Sequence, residues 1–111
     1  GPGRLAMASD RLVVTDRHGN VLALHKQTGS TLWQQDGLAR RNLSPAAIHG
    51  NHAVVGDFEG WLHWLDLDDG SFAARARAAG RDAIKGTPVV ADGVLVVQTV
   101  GGELSAFRLQ Q

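Results

Sequence analysis

Asp10-Arg11-Leu12-Val13-Val14-Thr15-Asp16-Arg17-His18-Gly19-Asn20-Val21-Leu22-Ala23-Leu24 and Asn51-His52-Ala53-Val54-Val55-Gly56-Asp57-Phe58-Glu59-Gly60-Trp61-Leu62-His63-Trp64-Leu65 are two copies of one pattern. Val13-Val14 falls on Val54-Val55, Asp16 on Asp57, Gly19 on Gly60 and Leu24 on Leu65, all at a spacing of 41 residues. Gly29-Ser30 falls on Gly70-Ser71 at the same spacing. A third copy follows 42 residues later, where Val96-Val97, Gly102, Leu104 and Phe107 match Val54-Val55, Gly60, Leu62 and Leu65. The lead-in segments that open with Leu5, Pro45 and Pro88 keep the same order. A fixed period of this length marks a repeat architecture, in which each unit needs its neighbours to bury its faces.

Within a copy the pattern is all strand. Arg11 to Asp16 and Asn20 to Lys26 are rich in Val and Leu, and His18-Gly19 between them is a hairpin signal. Val21 to Leu24 is an unbroken apolar run, which predicts a strand covered on both faces by neighbouring sheets. Thr28-Gly29 makes the next turn and Thr31-Leu32-Trp33 the next strand. Four strands joined by tight turns over about 40 residues make one β-propeller blade. The predicted strands are 4–8, 11–17, 20–26 and 30–36, then 45–49, 52–57, 61–67 and 71–79, then 86–91, 94–100 and 103–109. The fold class is all-β: a propeller fragment with two complete four-stranded antiparallel blades, residues 4–43 and 44–85, and three strands of a third, residues 86–111. Gly1-Pro2-Gly3 reads as a scar of tag removal and stands outside the fold.

Because the third copy stops at Gln110-Gln111 where a fourth strand should begin, the closing strand is expected far upstream in a longer parent. An open sheet edge and blade faces without neighbours predict that this piece self-associates.

Eleven Lys and Arg against eleven Asp and Glu give a formal net charge of zero, which argues against nucleic acid as a partner. The chain has no cysteine, so disulfides, thiolate metal sites and thiol nucleophiles are excluded. That composition fits cytosol and periplasm alike.

Ala23-Leu24-His25-Lys26-Gln27-Thr28-Gly29-Ser30-Thr31-Leu32-Trp33 resembles the tryptophan-docking motif of quinoprotein propellers, Ala-x-Asp-x-x-Thr-Gly-x-x-x-Trp, with His25 where Asp is usual. The second copy keeps Asp66 and Gly70 but has Ala74 at the Trp position. A large indole on an outer strand is suited to wedge between adjacent blades. Trp33, Gly29, Gly60, Trp64 and Gly70 are the residues expected to pack the blades.

Ser44-Pro45 followed by Val54-Val55-Gly56-Asp57-Phe58-Glu59-Gly60-Trp61-Leu62-His63-Trp64-Leu65 resembles the C-terminal blades of the BamB family, over residues 4–111. That resemblance implies a non-enzymatic, eight-bladed scaffold of the outer-membrane β-barrel assembly machinery. It further implies docking on the POTRA domains of BamA at the periplasmic face of the outer membrane. The parent would be lipid-anchored, with anchor and signal peptide lying outside this chain. The family's docking residues lie in earlier blades, so none transfers to this sequence. The alternative is a fragment of another quinoprotein-type propeller, such as a quinone-dependent dehydrogenase or a sensor ectodomain.

Chemistry-bearing clusters read as structural. His49 and His52, three apart near a turn, are read as surface turn histidines and His63 as half-buried beside Trp64, without the three or four convergent ligands that zinc needs. In Asp66, Asp68, Asp69 and Gly70 the glycine is fifth and Arg77 stands twelfth, so this is a turn and not a calcium loop. Asp57 recurs as Asp16, and a catalytic carboxylate has no reason to recur blade by blade. Arg40, Arg41, Arg75, Arg77, Arg81 and Lys85 are read as solvated surface, with an anionic partner as the minority reading. No catalytic residue, cofactor or metal site is assigned.

Overall fold

The computed structural model describes residues 5–109. Arg4, where the opening strand was expected to start, Gly1-Pro2-Gly3, expected to stand outside the fold, and Gln110-Gln111 lie outside the described residues. Among the described residues, eleven strands form three antiparallel sheets. The first holds β1 (Leu5–Ala8), β2 (Arg11–Thr15), β3 (Val21–His25) and β4 (Thr31–Gln35) in sequence order. The second holds β5 (Ala47–His49), β6 (His52–Gly56), β7 (Trp61–Asp66) and β8 (Phe72–Arg77), and the third β9 (Val89–Ala91), β10 (Val94–Gln98) and β11 (Leu104–Arg108). The innermost strands β1, β5 and β9 lie side by side, the arrangement of successive propeller blades.

The tight turn between the second and third strand of each blade is built the same way three times. Asp16 Oδ1 accepts from the amides of His18 and Asn20, each at 2.9 Å. Asp57 Oδ1 accepts from Glu59 at 2.9 Å and Trp61 at 3.0 Å, and Thr99 Oγ1 accepts from Glu103 at 3.3 Å. A short polar side chain that closes its own turn accounts for the recurrence of this position. Gly19, Gly60 and Gly102 follow it with φ of 86°, 84° and 91°, a conformation that costs any other residue. The pairing of third and fourth strands also repeats, with a bulge at Ala23/Leu24 in the first blade and at Trp64/Leu65 in the second.

The hydrophobic core lies between blades. Val13, Val21, Ala23 and Trp33 of the first blade pack with Ala53, Val55, Leu65 and Leu67 of the second. Val54, Leu62 and Trp64 on the other face of the second blade pack with Leu95 and Val97 of the third. The middle blade is thus covered on both sides, and Ala53 to Gly56 and Leu62 to Leu65 are buried without a break. The first blade departs from the expectation for its apolar run: Val21 and Ala23 are buried, while Leu22 and Leu24 are only half-buried. Its third strand has a neighbouring sheet on one face only among the described residues, so burial alternates with the pleat.

Candidate functional site

Each of the two joints between blades holds buried polar groups, and the two are built differently. At the first joint, the outer strand β4 sends Trp33 across to the β7–β8 turn, where the indole N–H donates to the Leu67 carbonyl at 2.8 Å. The same carbonyl accepts from Arg11 Nη1 at 2.6 Å, and Gln35 Nε2 donates to the Gly70 carbonyl at 2.8 Å. Gly70, at φ 77°, sits against the indole, and a Cβ there would collide with Trp33 Cε3 and Cδ2. Trp33 is 8% exposed. The aspartates before Gly70 serve that turn: Asp66 Oδ1 accepts from the Asp68 amide at 2.8 Å and Asp69 Oδ1 from the Ser71 amide at 2.9 Å.

At the second joint the position equivalent to Trp33 is Ala74, on an outer strand exposed over this stretch. The gap is closed from within instead. Trp64 on β7 packs edge-on against Phe107 of the third blade, ring centroids 5.5 Å apart, and its N–H donates to His49 Nδ1 at 3.1 Å. An indole nitrogen only donates, so His49 Nδ1 is unprotonated and Nε2 carries the hydrogen. That Nε2 donates to the Gly93 carbonyl of the third blade at 2.7 Å. In the first blade the positions of His49 and Trp64 are Ala8 and Ala23.

Two histidine readings are therefore corrected. His49 is a buried link between blades and not a surface turn residue, because its strand faces the third blade and both ring nitrogens find partners there. His63 is buried rather than half-buried, and its ring Nε2 pairs with Asp57. His52 is half-buried, with Nδ1 enclosed and lacking a hydrogen-bond partner among the described residues.

Asp57 is the centre of a network that the turn motif does not require. It is 0% exposed. Besides its two turn amides, Oδ2 accepts from His63 Nε2 at 2.9 Å and Arg41 Nη1 at 3.0 Å. Burial pushes its carboxyl up, but the bonds from His63, the Trp61 and Glu59 amides and Arg41 outweigh that and hold it below the usual carboxylate range. Arg41, read from sequence as solvated, also lies 3.5 Å from Glu59. Arg75 and Arg77 stack on the Trp61 ring at 4.6 and 5.2 Å. The signal for the Asp57–His63 pair was a polar residue at an inner-strand position occupied in the first blade by Leu22. Among the described residues no hydroxyl bonds to the pair, and both oxygens of the Asp57 carboxylate are already taken. The arrangement locks a turn.

Gly29 and Gly60 differ in what they demand. Gly29 has φ 76° with open space where a Cβ would go. Gly60 has φ 84° and would place a Cβ 2.8 Å from the Asp82 carbonyl oxygen. Gly29→Ala is expected to cost about 1 kcal/mol, and Gly60→Ala about 2 kcal/mol or more, since collision with backbone adds to conformational strain. Urea midpoints of the two variants check the order.

The family model described as outer membrane protein assembly factor BamB matches residues 17–110. The chain is 50% identical over 111 residues to the outer membrane protein assembly factor BamB of Xanthomonas campestris, covering 100% of this chain and 27% of that relative. It is 41% identical over 104 residues to the BamB of Kangiella koreensis, covering 94% and 26%. The crystal structure of BamB from Moraxella catarrhalis superposes with a TM-score of 0.89 at 25% identity, over 96% of this chain and 32% of that one. A quinohemoprotein alcohol dehydrogenase from Pseudomonas putida superposes with a TM-score of 0.77 at 21% identity, over 93% of this chain and 18% of that one, a likeness of fold alone. The chain spans about a quarter of the length of the curated relatives it matches. With the fold and the family match over residues 17–110 in agreement, this chain belongs to the BamB family of outer membrane protein assembly factors.

Proposed function

We propose that the chain is part of a non-catalytic protein–protein scaffold for assembling β-barrels in the outer membrane. The observation that carries this reading is the family match over residues 17–110, joined to 50% identity with a relative named as an assembly factor. The buried groups support it: Asp57, His63 and His49 spend their hydrogen bonds on holding turns and blades together. In the longer protein the partner is the set of periplasmic POTRA domains of BamA. The site of action is the periplasmic face of the outer membrane, with a lipid anchor on the longer protein. Trp33 with Gly70 serves the first joint, Trp64 the second, and Gly29 and Gly60 the turns. Titrating the longer protein with the POTRA domains of BamA is expected to give saturable heat. No heat at micromolar concentrations of both would sink the docking assignment.

The 111-residue chain on its own is expected to self-associate. On the third blade Val89, Val100 and Leu104 are 62%, 62% and 65% exposed. β11 ends its sheet with no strand paired on its outer side among the described residues. Light scattering after size exclusion should give a mass above that of one chain, and a clean monomer across concentrations overturns the expectation.

A further inference from the structure

On the end of the blades that carries the β2–β3 and β6–β7 turns, a cavity of about 630 Å³ opens at the junction of the first two blades. Its lining comes from separate loops: Arg17 and His18 in the β2–β3 turn, Arg40 and Leu43 between β4 and β5, Phe58 in the β6–β7 turn, and Lys85 ahead of β9. Phe58 is 46% exposed, a large apolar side chain held out on a tight turn. Arg17, Arg40 and Lys85 are exposed, and none forms an ion pair among the described residues. Against these cations stands one lining carboxylate, Asp16. Its oxygens are taken by the His18 and Asn20 amides and Asn20 Nδ2 of its own turn.

The backbone beneath Arg40 is strained and fixed. Arg40 and Asn42 hold φ of 68° and 51° without being glycine. The tip of the neighbouring turn, Gly19, is seated so closely that a Cβ would meet the Leu38 oxygen and the Arg40 nitrogen at 2.8 and 2.9 Å. Non-glycine residues in this region persist where surrounding structure imposes them, and they cluster at binding loops.

We propose that this cavity binds an acidic, extended stretch of polypeptide, which seats one apolar or aromatic side chain against Phe58 and Leu43 and sets its carboxylates on Arg17, Arg40 and Lys85. Charge complementarity selects the occupant. The cations come from separate loops, with Leu43 and Phe58 among them, which suits carboxylates spaced along a chain better than the point charge of a single phosphate. The proposal is independent of the assembly role and of POTRA docking, since it concerns only a face present in this chain.

The test is fluorescence anisotropy of a short labelled peptide of Glu, Ser and Phe against the 111-residue chain at low salt, with amide shifts followed by NMR. Binding is expected, weakened by added salt, with shifts centred on Gly19, Arg40 and Phe58. Arg17→Glu combined with Lys85→Glu should weaken it about tenfold or more, and Phe58→Ala should weaken it too. Lys26→Glu, in the β3–β4 turn at the other end of the blade, should leave it unchanged. Melting curves of these surface variants confirm that each is folded. Equal binding of a peptide with Lys in place of Glu, or undiminished binding by the double charge reversal, overturns the proposal. So does capture of the chain by phosphatidylglycerol vesicles when the peptide does not bind, which would make the site a lipid-headgroup site.

Discussion

Trp33→Ala is expected to lower the melting temperature by more than about 10 °C, the counterpart of a loss on the order of 3–5 kcal/mol for deleting a buried indole from a domain of this size. The loss is one of packing more than of hydrogen bonding. The Leu67 carbonyl released by the indole keeps its bond from Arg11, so no buried acceptor is orphaned. The ring's contact with Gly70 and the core between the first two blades have no such substitute. Trp33→Phe should recover only part of the loss, because it restores an aromatic ring but gives up the N–H and much of the indole's area, including the six-membered ring that meets Gly70. A melting curve unchanged in the alanine variant would mean that the first joint does not depend on this side chain.

Asp57→Ala is expected to cost on the order of 3 kcal/mol or more, because it strips a buried acceptor from two side chains and two backbone amides at once. Its second signature is in the pH dependence. The folded carboxyl sits below the ordinary value of 3.8, so its contribution is complete above that value and is lost as pH falls through the lower folded one. Stability of the unaltered chain should accordingly decline in the acid range below about pH 4, and Asp57→Ala should flatten that decline. It should not abolish it, since Asp10, Asp16 and Asp69 are shifted in the same direction. Thermal melts at closely spaced acid pH values read both effects, and an acid limb of equal steepness in the two proteins would contradict the network.

Much of the fold was legible because the repeat states the strand order three times over. Asp16, Asp57 and Thr99 with their following glycines mark the same turn in each copy, and once that register is set, the neighbouring strands fall into place. The joints were less legible. Trp33 was readable through its motif, but Ala74 at the matching position gave only a gap, and nothing in a period of 41 residues says which side chain fills it. His49 was misplaced because histidine near a turn is commonly exposed, and its burial here depends on Gly93, a partner distant in sequence. His63, read as half-buried, is buried because it pairs with Asp57, which Arg41 reaches from another loop. Repeat logic captures what copies share and passes over what makes one copy unlike the next.

The unlike joints carry a consequence for modularity. Blades built from one ancestral unit could in principle be shuffled, yet these two could not exchange places. A first-type blade set beside Phe107 would present Ala8 and Ala23 where a histidine and an indole are needed, leaving a void and an unclaimed Gly93 carbonyl. A second-type blade in the first position would offer Ala74 to a glycine that is shaped to receive a tryptophan. Each of the two joints is thus fitted to its own pair of blades, and neither of these blades can stand in for the other.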